Sequence, residues 1–340
     1  MTVSIVSSPQ TKLKSCSYPS TPSVVIVDCG SGYSRVANFY LCPETRLVHS
    51  ITTHSHIRAL HAVIHSPTES AEWVHELIEI VKQVDSEATE VMIGATGGVR
   101  DLISCGEITM KEVETFQELL TNMELPFRVT MVILSGEDEA KYEFLSAKYC
   151  AEKCGLLSEE EEGMTYLGLL SSGGMSSQIS VKGVSRSLET EVKKGNRLGL
   201  EHGMEKGKAL FHRHVTEAIE QNIPKNFGGE DVLYVAIEML AAVGEKAGMG
   251  GGVMLPVAAA IQTLSNFIEE KTKEDALLGE TVERTWKTYV HVMTGIVGKI
   301  ILGRLHPESR IVFLWKFELG EDHALKPSWP LGRAIEKLLE

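Results

Sequence analysis

The chain has 340 residues, of which 43% are hydrophobic and 23% are charged, a composition typical of a folded protein with about two domains of roughly 150 residues each. Acidic residues outnumber basic ones by 46 to 33, and the resulting formal net charge of -13 disfavours binding to nucleic acids and to anionic membranes. No run reaches the roughly 18 apolar residues that a transmembrane helix needs, so a cytoplasmic protein without a membrane segment is expected.

The N-terminal residues and the cysteines support this expectation. Residues 1–21 are rich in Ser, Thr and Pro and lack an apolar signal core, so they are predicted to form a disordered lead. The six cysteines show neither a disulfide framework nor the spacing of zinc ligands. Most of them are therefore expected to be reduced thiols that act as small apolar side chains.

Strands and helices are predicted to alternate in the first half of the chain. Apolar runs predict strands at residues 24–27, 36–41, 91–93 and 129–134. Helical spacing of apolar residues predicts helices around residues 73–81 and from residue 136 to about Gly155. This alternation predicts the α/β class.

The second half begins with a second copy of the opening hairpin. A strand at 166–170 enters a glycine turn at 171–175, and a strand at 177–181 leaves it, about 140 residues after the first copy. Two copies suggest two related lobes that face one ligand. The remainder is predicted to be mainly helical, at 204–221, 232–246, 257–271 and 282–301, with a last strand at 311–317 and a short helix from Leu331.

The two glycine turns are suited to binding phosphate. Gly30 and Gly32 in the first turn, and Gly173 and Gly174 in the second, lack Cβ atoms, so successive backbone N–H groups can converge on a phosphate oxygen. No G-x-x-x-x-G-K-[ST] loop occurs, so the predicted cradle consists of hairpins. Asp28, where the first strand meets its turn, is placed either to hold Mg²⁺ or Ca²⁺, directly or through water, or to cap the turn.

Three carboxylates, Glu137, Asp138 and Glu139, open a helix directly after an apolar strand. Part of this cluster is explained by helix capping, since Ser135 and Asp138 form a capping box and acidic side chains complement the helix dipole. Carboxylates at the carboxyl edge of an open α/β sheet are also typical of a ligand site. One of the three is therefore a candidate general base that activates water.

Taken together, these motifs resemble the five signatures of the apyrase, or nucleoside-triphosphate diphosphohydrolase, family. In chain order, the similar segments are DCGSGYSRV at 28–36, ATGGVR at 95–100, LSGEDEAKYEF at 134–144, GGMSSQ at 173–178 and WPLG at 329–332. Each segment is weak alone, but their order and approximate spacing agree over nearly the whole chain.

The resemblance implies a two-lobed actin-like (ribonuclease H-like) α/β fold. Each lobe would be a mixed five-stranded sheet flanked by helices, with the nucleotide phosphates held by the two glycine hairpins. On this basis the first lobe is predicted to comprise residues 22–134 with the C-terminal helix 328–340, and the second lobe residues 135–327.

The resemblance also implies a reaction, which is metal-dependent hydrolysis of the terminal phosphate of nucleoside tri- or diphosphates by direct attack of water. Glu139 corresponds to the base that deprotonates this water, and Ser176 and Gln178 correspond to residues that position it. The metal would be Mg²⁺ or Ca²⁺, and the partner a nucleotide.

The resemblance assigns further residues to the metal and to the phosphates. Positions near the metal, which they would contact through water, are Asp28, Ser171 and Trp329. Positions that bind phosphate are Ser31, Gly32, Thr96, Arg100, Gly173, Gly174 and Met175.

Three positions depart from the family pattern. Ser171 stands where the fourth signature has an aspartate, Ala140 where the third has a glycine, and Met175 where the fourth has a small residue. Loss of a carboxylate that orients the ligands of a metal typically reduces metal affinity or activity about 10–100-fold. Ser171 therefore predicts a weakened enzyme rather than an inactive one.

Two alternative functions stay open. Ala140 is also typical of the sister family of exopolyphosphatases and guanosine-pentaphosphate phosphohydrolases, whereas Gln178 and the WPLG segment favour the apyrase side. Ser171 is also compatible with a catalytically weak or silent nucleotide-binding regulatory protein.

Overall fold

A computed structural model describes residues 22–52, 56–156, 166–173, 176–188, 192–278, 286–320 and 323–339. These residues form two compact units. The terminal unit comprises residues 22–146 and 320–339, and the middle unit comprises residues 147–319. The lobe boundaries expected from the sequence, at residues 134 and 327, stay a prediction.

Strands and helices alternate along most of the described chain. The strands are β1 (Ser23–Cys29), β2 (Tyr33–Leu41), β3 (Val48–Thr52), β4 (Ile57–Arg58), β5 (Glu90–Ala95), β6 (Arg128–Ile133), β7 (Tyr166–Ser172), β8 (Ser177–Val181), β9 (Val184–Leu188), β10 (Val232–Ile237), β11 (Leu255–Pro256), β12 (Arg310–Phe313), β13 (Phe317–Gly320) and β14 (His323–Leu325). The helices are α1 (Pro67–Val84), α2 (Gly97–Ser104), α3 (Met110–Asn122), α4 (Gly136–Lys153), α5 (Val192–His202), α6 (Met204–Asn222), α7 (Glu238–Lys246), α8 (Val257–Leu278), α9 (Trp286–Leu302) and α10 (Trp329–Leu339).

The terminal unit is built on a mixed sheet with the strand order β3-β2-β1-β5-β6, and β4 also pairs with β2. β1 is antiparallel to β2 and parallel to β5, so the hairpin is followed by parallel strands. Helix α1 begins at Ser66, whose side chain accepts a hydrogen bond from the backbone N–H of Glu69. Trp73 of α1 and Phe116 of α3 meet edge to face in the core, with ring centroids 5.7 Å apart.

The middle unit repeats this arrangement. Its sheet has the order β11-β12-β10-β7-β8-β9, in which the hairpin of β7 and β8 is antiparallel and β7, β10 and β12 are parallel. The five longer strands thus follow the same order as in the terminal unit, as the second hairpin predicted. Each of these two sheets also has a sixth strand of two residues, β4 or β11, which the five-stranded expectation did not include.

One predicted helix, at 232–246, is wrong over its first six residues. Residues 232–237 form the strand β10, and helix α7 begins only at Glu238. All six residues of β10, a central strand between two parallel neighbours, are buried, so both faces of the strand are covered. A strand that is covered on both faces shows a continuous apolar run instead of alternation, and such a run cannot be distinguished from a buried helix by periodicity.

The predicted strand at 311–317 is also shorter, since β12 ends at Phe313 and β13 begins at Phe317. Cys42 is disulfide-bonded, which the sequence spacing did not predict. Among the described helices, none combines the length and the apolar composition that crossing a bilayer requires. A cytoplasmic location stays a prediction.

Candidate active site

The first candidate residue, Asp28, is held by two side chains of the terminal unit. Its Oδ2 accepts a hydrogen bond from Nη2 of Arg35 at 2.9 Å, and its Oδ1 accepts one from Nε1 of Trp329 at 2.9 Å. Arg35 lies opposite Asp28 in the hairpin of β1 and β2, whereas Trp329 lies 301 residues later in the chain. The side chain of Asp28 is 13% exposed, so the carboxylate has a fixed orientation and limited access to solvent.

Trp329 begins α10 and is 3% exposed. Its ring occupies the space that a Cβ on residue 94 would need, so Gly94 of β5 allows the ring to lie against the sheet. The indole N–H is thereby directed at Asp28. The terminal unit therefore brings together two of the three residues that the family resemblance assigns to the surroundings of the metal.

The turn between β1 and β2 packs against the start of α2. A Cβ on Gly98, the second residue of α2, would lie 2.8 Å from Cα of Ser31, so the close approach requires glycine. Thr96 precedes α2 and donates from its backbone N–H and from Oγ1 to the carbonyl oxygen of Cys29, each at 3.3 Å. Because the first N–H groups of a helix lack intrahelical acceptors, this junction is suited to binding an anion.

Gly32, in contrast, is not required by packing within the protein. A Cβ at this position would meet no atom within 4 Å. The open space leaves the backbone of the turn accessible to a phosphate group, which is the role that the sequence predicts for Ser31 and Gly32.

The three carboxylates at the start of α4 have different surroundings. Oγ of Ser135 accepts a hydrogen bond from the backbone N–H of Asp138 at 3.0 Å and donates one to Oδ2 of the same residue at 2.7 Å. Glu137 is exposed. The side chain of Glu139 is 12% exposed, and its Oε2 accepts a hydrogen bond from Nη1 of Arg100 at 3.1 Å. Helix capping therefore accounts for Asp138 but not for Glu139.

Arg100 of α2 fixes the position of this carboxylate. Its Nη1 donates to the carbonyl oxygen of Leu134 at 2.8 Å as well as to Glu139, and the side chain is 17% exposed. Leu134 follows β6 directly, so the guanidinium joins the end of a strand to the first turn of α4. The assignment of Arg100 to phosphate binding stays a prediction, and the contact that the structure shows is with the predicted base.

The middle unit carries the other predicted residues on the hairpin of β7 and β8. The backbone N–H of Gly173 donates to the carbonyl oxygen of Ser176 at 2.9 Å and closes the turn. Nε2 of Gln178 donates to Oγ of Ser176 at 2.8 Å, so the two residues predicted to position water are joined to each other. Gly174 and Met175 lie outside the described residues.

Ser171, which stands in place of the expected aspartate, pairs with Gln178 across the hairpin. It is 1% exposed, and its Oγ has no hydrogen-bond partner in the described part of the chain. Buried hydroxyl groups nearly always have a partner, which is often an ordered water molecule. An external oxygen ligand near Ser171 would satisfy this group.

One carboxylate at the same edge of the middle sheet was missed by the sequence analysis. Glu238 follows β10, which is parallel to β7, and it has a φ of 56°. The signal was available, because a carboxylate directly after a buried apolar strand is the pattern that identified residues 137–139. The helix predicted across residues 232–246 conceals this boundary between strand and helix.

Cys29, at the end of β1, is not a candidate nucleophile. It is fully buried, and burial raises the pKa of its thiol from 9.0 to about 12, while a hydrogen bond with Ser34 acts in the opposite direction. The thiolate is the nucleophilic form of cysteine. The environment of Cys29 therefore favours the neutral thiol at ordinary pH.

The residues present fit a divalent metal that is held through water and phosphate. The described residues contain no group of three or more His, Cys, Asp or Glu side chains that could enclose an ion. Mg²⁺ commonly keeps several waters and uses one or two carboxylates together with substrate phosphates. In the terminal unit, Asp28 supplies carboxylate oxygens of this kind, and in the middle unit the hydroxyl of Ser171 lacks a partner among the described residues.

Several solved structures share the fold of this chain. A Ppx/GppA family protein from Aquifex aeolicus is 15% identical, with a TM-score of 0.56 over 93% of this chain and 97% of that chain. A nucleoside triphosphate hydrolase from Neospora caninum is 12% identical, with a TM-score of 0.57 over 93% and 92% of the two chains. An exopolyphosphatase from Cytophaga hutchinsonii is 11% identical, with a TM-score of 0.53 over 93% and 98%.

No protein-family model matches the chain, and no curated protein sequence matches it. At these identities the structural likeness establishes the fold alone. It confirms the predicted actin-like α/β fold, with two sheets flanked by helices, and it does not separate the apyrase family from the exopolyphosphatase family.

Proposed function

We propose that this protein hydrolyses the terminal phosphate of nucleoside tri- or diphosphates by direct attack of water. The observation that carries the proposal is the ion pair of Glu139 with Arg100, which singles out one carboxylate from three and holds it beside the junction of the first glycine turn with α2. The solved structures of similar fold include one named as a nucleoside triphosphate hydrolase and one named as an exopolyphosphatase, which supports hydrolysis of a phosphoanhydride.

Glu139 acts as the general base in this proposal. Its carboxylate accepts a proton from a water molecule, whose oxygen attacks the terminal phosphorus while the bond to the bridging oxygen breaks. The leaving nucleotide departs with the electron pair of that bond. Ser176 and Gln178, which are hydrogen-bonded to each other, orient the water, and no residue of the chain becomes covalently bound to phosphate.

Asp28 and Ser171 would hold the water molecules around a divalent metal, with the indole of Trp329 fixing the carboxylate of Asp28. When bound, Mg²⁺ would neutralise the charge of the phosphate oxygens. The backbone of Ser31 and Gly32, the N-terminal end of α2 after Thr96, and the turn at Gly173 and Gly174 would bind the phosphates through N–H groups.

A cavity in the middle unit favours a nucleotide over an inorganic chain. It has a volume of about 430 Å³ and is lined by Trp315, Phe317, Ala241 and the loop 250–252. Trp315 is 38% exposed, so it is not a core residue. An aromatic face beside an apolar pocket is suited to stacking with a nucleobase, for which polyphosphate has no counterpart.

Exopolyphosphatase activity is the second candidate. Ala140 favours it, and so do the names of the Aquifex aeolicus and Cytophaga hutchinsonii structures of similar fold. The decisive experiment offers ATP, GDP, guanosine pentaphosphate and long-chain polyphosphate to the purified chain with Mg²⁺ and measures phosphate release. Release from ATP or GDP supports the proposal, and release from polyphosphate or guanosine pentaphosphate alone supports the second candidate. Nucleotide binding without any release would establish a silent nucleotide-binding protein instead.

Replacement of Trp315 tests recognition of the base. Aromatic stacking contributes about 0.5–1.5 kcal/mol, so Trp315→Ala is expected to raise KM for ATP roughly 2- to 12-fold while kcat changes little. Trp315→Phe, which keeps an aromatic face, serves as the control and should recover most of the affinity. An equal change in KM for ATP and for tripolyphosphate would contradict stacking with a base.

Replacement of Arg100 separates its two possible roles. If the guanidinium positions Glu139, Arg100→Gln is expected to lower kcat roughly 10–100-fold with less than a threefold change in KM, because misplacement of a catalytic group acts on the transition state. If it binds phosphate in the ground state, KM rises instead. Arg128→Gln is the control, since Arg128 forms an ion pair with Glu90 and its side chain is 75% exposed.

A further inference from the structure

The middle unit carries a carboxylate that lies outside all five motifs. Glu238 begins α7 with a φ of 56°, in the left-handed region that is disfavoured for residues other than Gly, Asn and Asp. Acidic residues do stabilise the start of a helix. That effect does not explain the left-handed conformation, because a carboxylate one residue later would stabilise the start of the helix without the steric cost.

The backbone places Glu238 at the carboxyl edge of the sheet. A sharp turn from a strand into a helix, with one residue in a left-handed conformation, presents the side chain of that residue at the top of an α/β sheet. Glu238 is paired with Ser172, the last residue of β7, so it lies level with the start of the glycine turn. Ligands of open α/β folds bind at this edge.

A second observation points to a ligand at the same edge. Ile237, the residue before Glu238, pairs with Ser171. Oγ of Ser171 is buried and lacks a hydrogen-bond partner among the residues that the structure describes. The ends of two adjacent strands therefore provide an unsatisfied hydroxyl and a carboxylate, where the apyrase signature has one aspartate.

We infer that Glu238 supplies the carboxylate that the fourth signature lacks in this chain. Together with Oγ of Ser171, it binds water molecules coordinated to the divalent metal of the nucleotide. The inference rests on the proposed function, and it assigns the role of the missing aspartate to the residue that follows a different strand, β10. It also explains why a glutamate occupies a left-handed position that Gly or Asn would occupy at lower cost.

The test measures the affinity for Mn²⁺ by electron paramagnetic resonance, in the presence of a non-hydrolysable ATP analogue. Glu238→Gln is expected to weaken Mn²⁺ binding about 10–100-fold, as loss of an outer-shell carboxylate typically does. The double variant Ser171→Asp, Glu238→Gln returns the carboxylate to the motif position and is expected to recover the affinity to within about threefold of the original chain. Glu238→Asn tolerates the left-handed conformation and serves as a second variant if Glu238→Gln is poorly folded.

Two controls separate charge and backbone effects from metal binding. Glu230→Gln removes a negative charge from an exposed position just before β10, and Arg46→Gly relieves a left-handed residue (φ 57°) in an exposed turn. Both should bind Mn²⁺ like the original chain.

The outcomes distinguish this inference from the proposed function. If Glu238→Gln binds Mn²⁺ with an affinity within twofold of that of the original chain, the inference is wrong. Nucleotide hydrolysis by the original chain would still support the proposed function in that case. If the original chain neither hydrolyses nucleotides nor binds Mn²⁺ with the analogue, both are wrong. Weakened binding in Glu238→Gln that the double variant restores supports the inference.

Discussion

Glu139→Gln is expected to reduce kcat for nucleotide hydrolysis about 10²- to 10⁴-fold, the range that general base catalysis contributes. This loss corresponds to roughly 2.7–5.4 kcal/mol of transition-state stabilisation. The amide keeps the size of the side chain and a hydrogen-bond acceptor for Arg100, but it cannot accept a proton from water. The measurement is steady-state phosphate release, accompanied by the dissociation constant of a non-hydrolysable analogue with Mg²⁺.

The neighbouring Glu137 provides a matched control. It lies two residues away on the same helix turn and is exposed, so Glu137→Gln should retain kcat within about twofold of the original chain. Binding of the analogue by Glu139→Gln should stay within about threefold, because the base acts in the transition state. Equal losses of kcat in the two variants would show that the charge of the helix terminus matters and that Glu139 is not the base.

Gly332→Ala is expected to destabilise the terminal unit by at least about 2 kcal/mol, the scale of an overpacked contact that the backbone must relieve. A Cβ on residue 332 would overlap the carbonyl oxygen of Tyr142, because α10 packs directly against the backbone of α4. These helices carry Trp329 and Glu139, so activity should fall with stability. Thermal unfolding followed by circular dichroism gives the change in Tm.

Gly32→Ala is the matched control for this substitution. The space around Gly32 is open, so the change should alter stability by less than about 0.5 kcal/mol. It should nevertheless raise KM, since the added methyl group lies where a phosphate is proposed to approach. A Tm for Gly332→Ala equal to that of the original chain would contradict the close packing of α10 on α4.

Much of the fold could be predicted from the sequence because its signals are local. The two hairpins were found from short apolar runs that end in glycine turns, and β1, β2, β7 and β8 lie where those runs predict them. The central strand β10 was missed for a physical reason. The run VLYVAI is apolar at every position, because each face of the strand is buried, so neither helical nor strand periodicity is visible.

That error also concealed Glu238. A helix assigned across residues 232–246 places position 238 in its interior, where an acidic residue has no special meaning. Only the boundary between β10 and α7 reveals a carboxylate at the edge of the sheet in a left-handed conformation.

The sequence by itself determined the five motifs, their order and the actin-like α/β fold that they imply. Glu137, Asp138 and Glu139 are consecutive and chemically alike, and within the sequence only the family resemblance points to Glu139. The tertiary structure shows how their surroundings differ, because Arg100 reaches Glu139 across 39 residues of sequence while Ser135 binds Asp138 locally. The surroundings of Asp28 likewise depend on Trp329, from the opposite end of the chain. Local patterns encode secondary structure, whereas the partner of a charged group is fixed only when distant segments pack together.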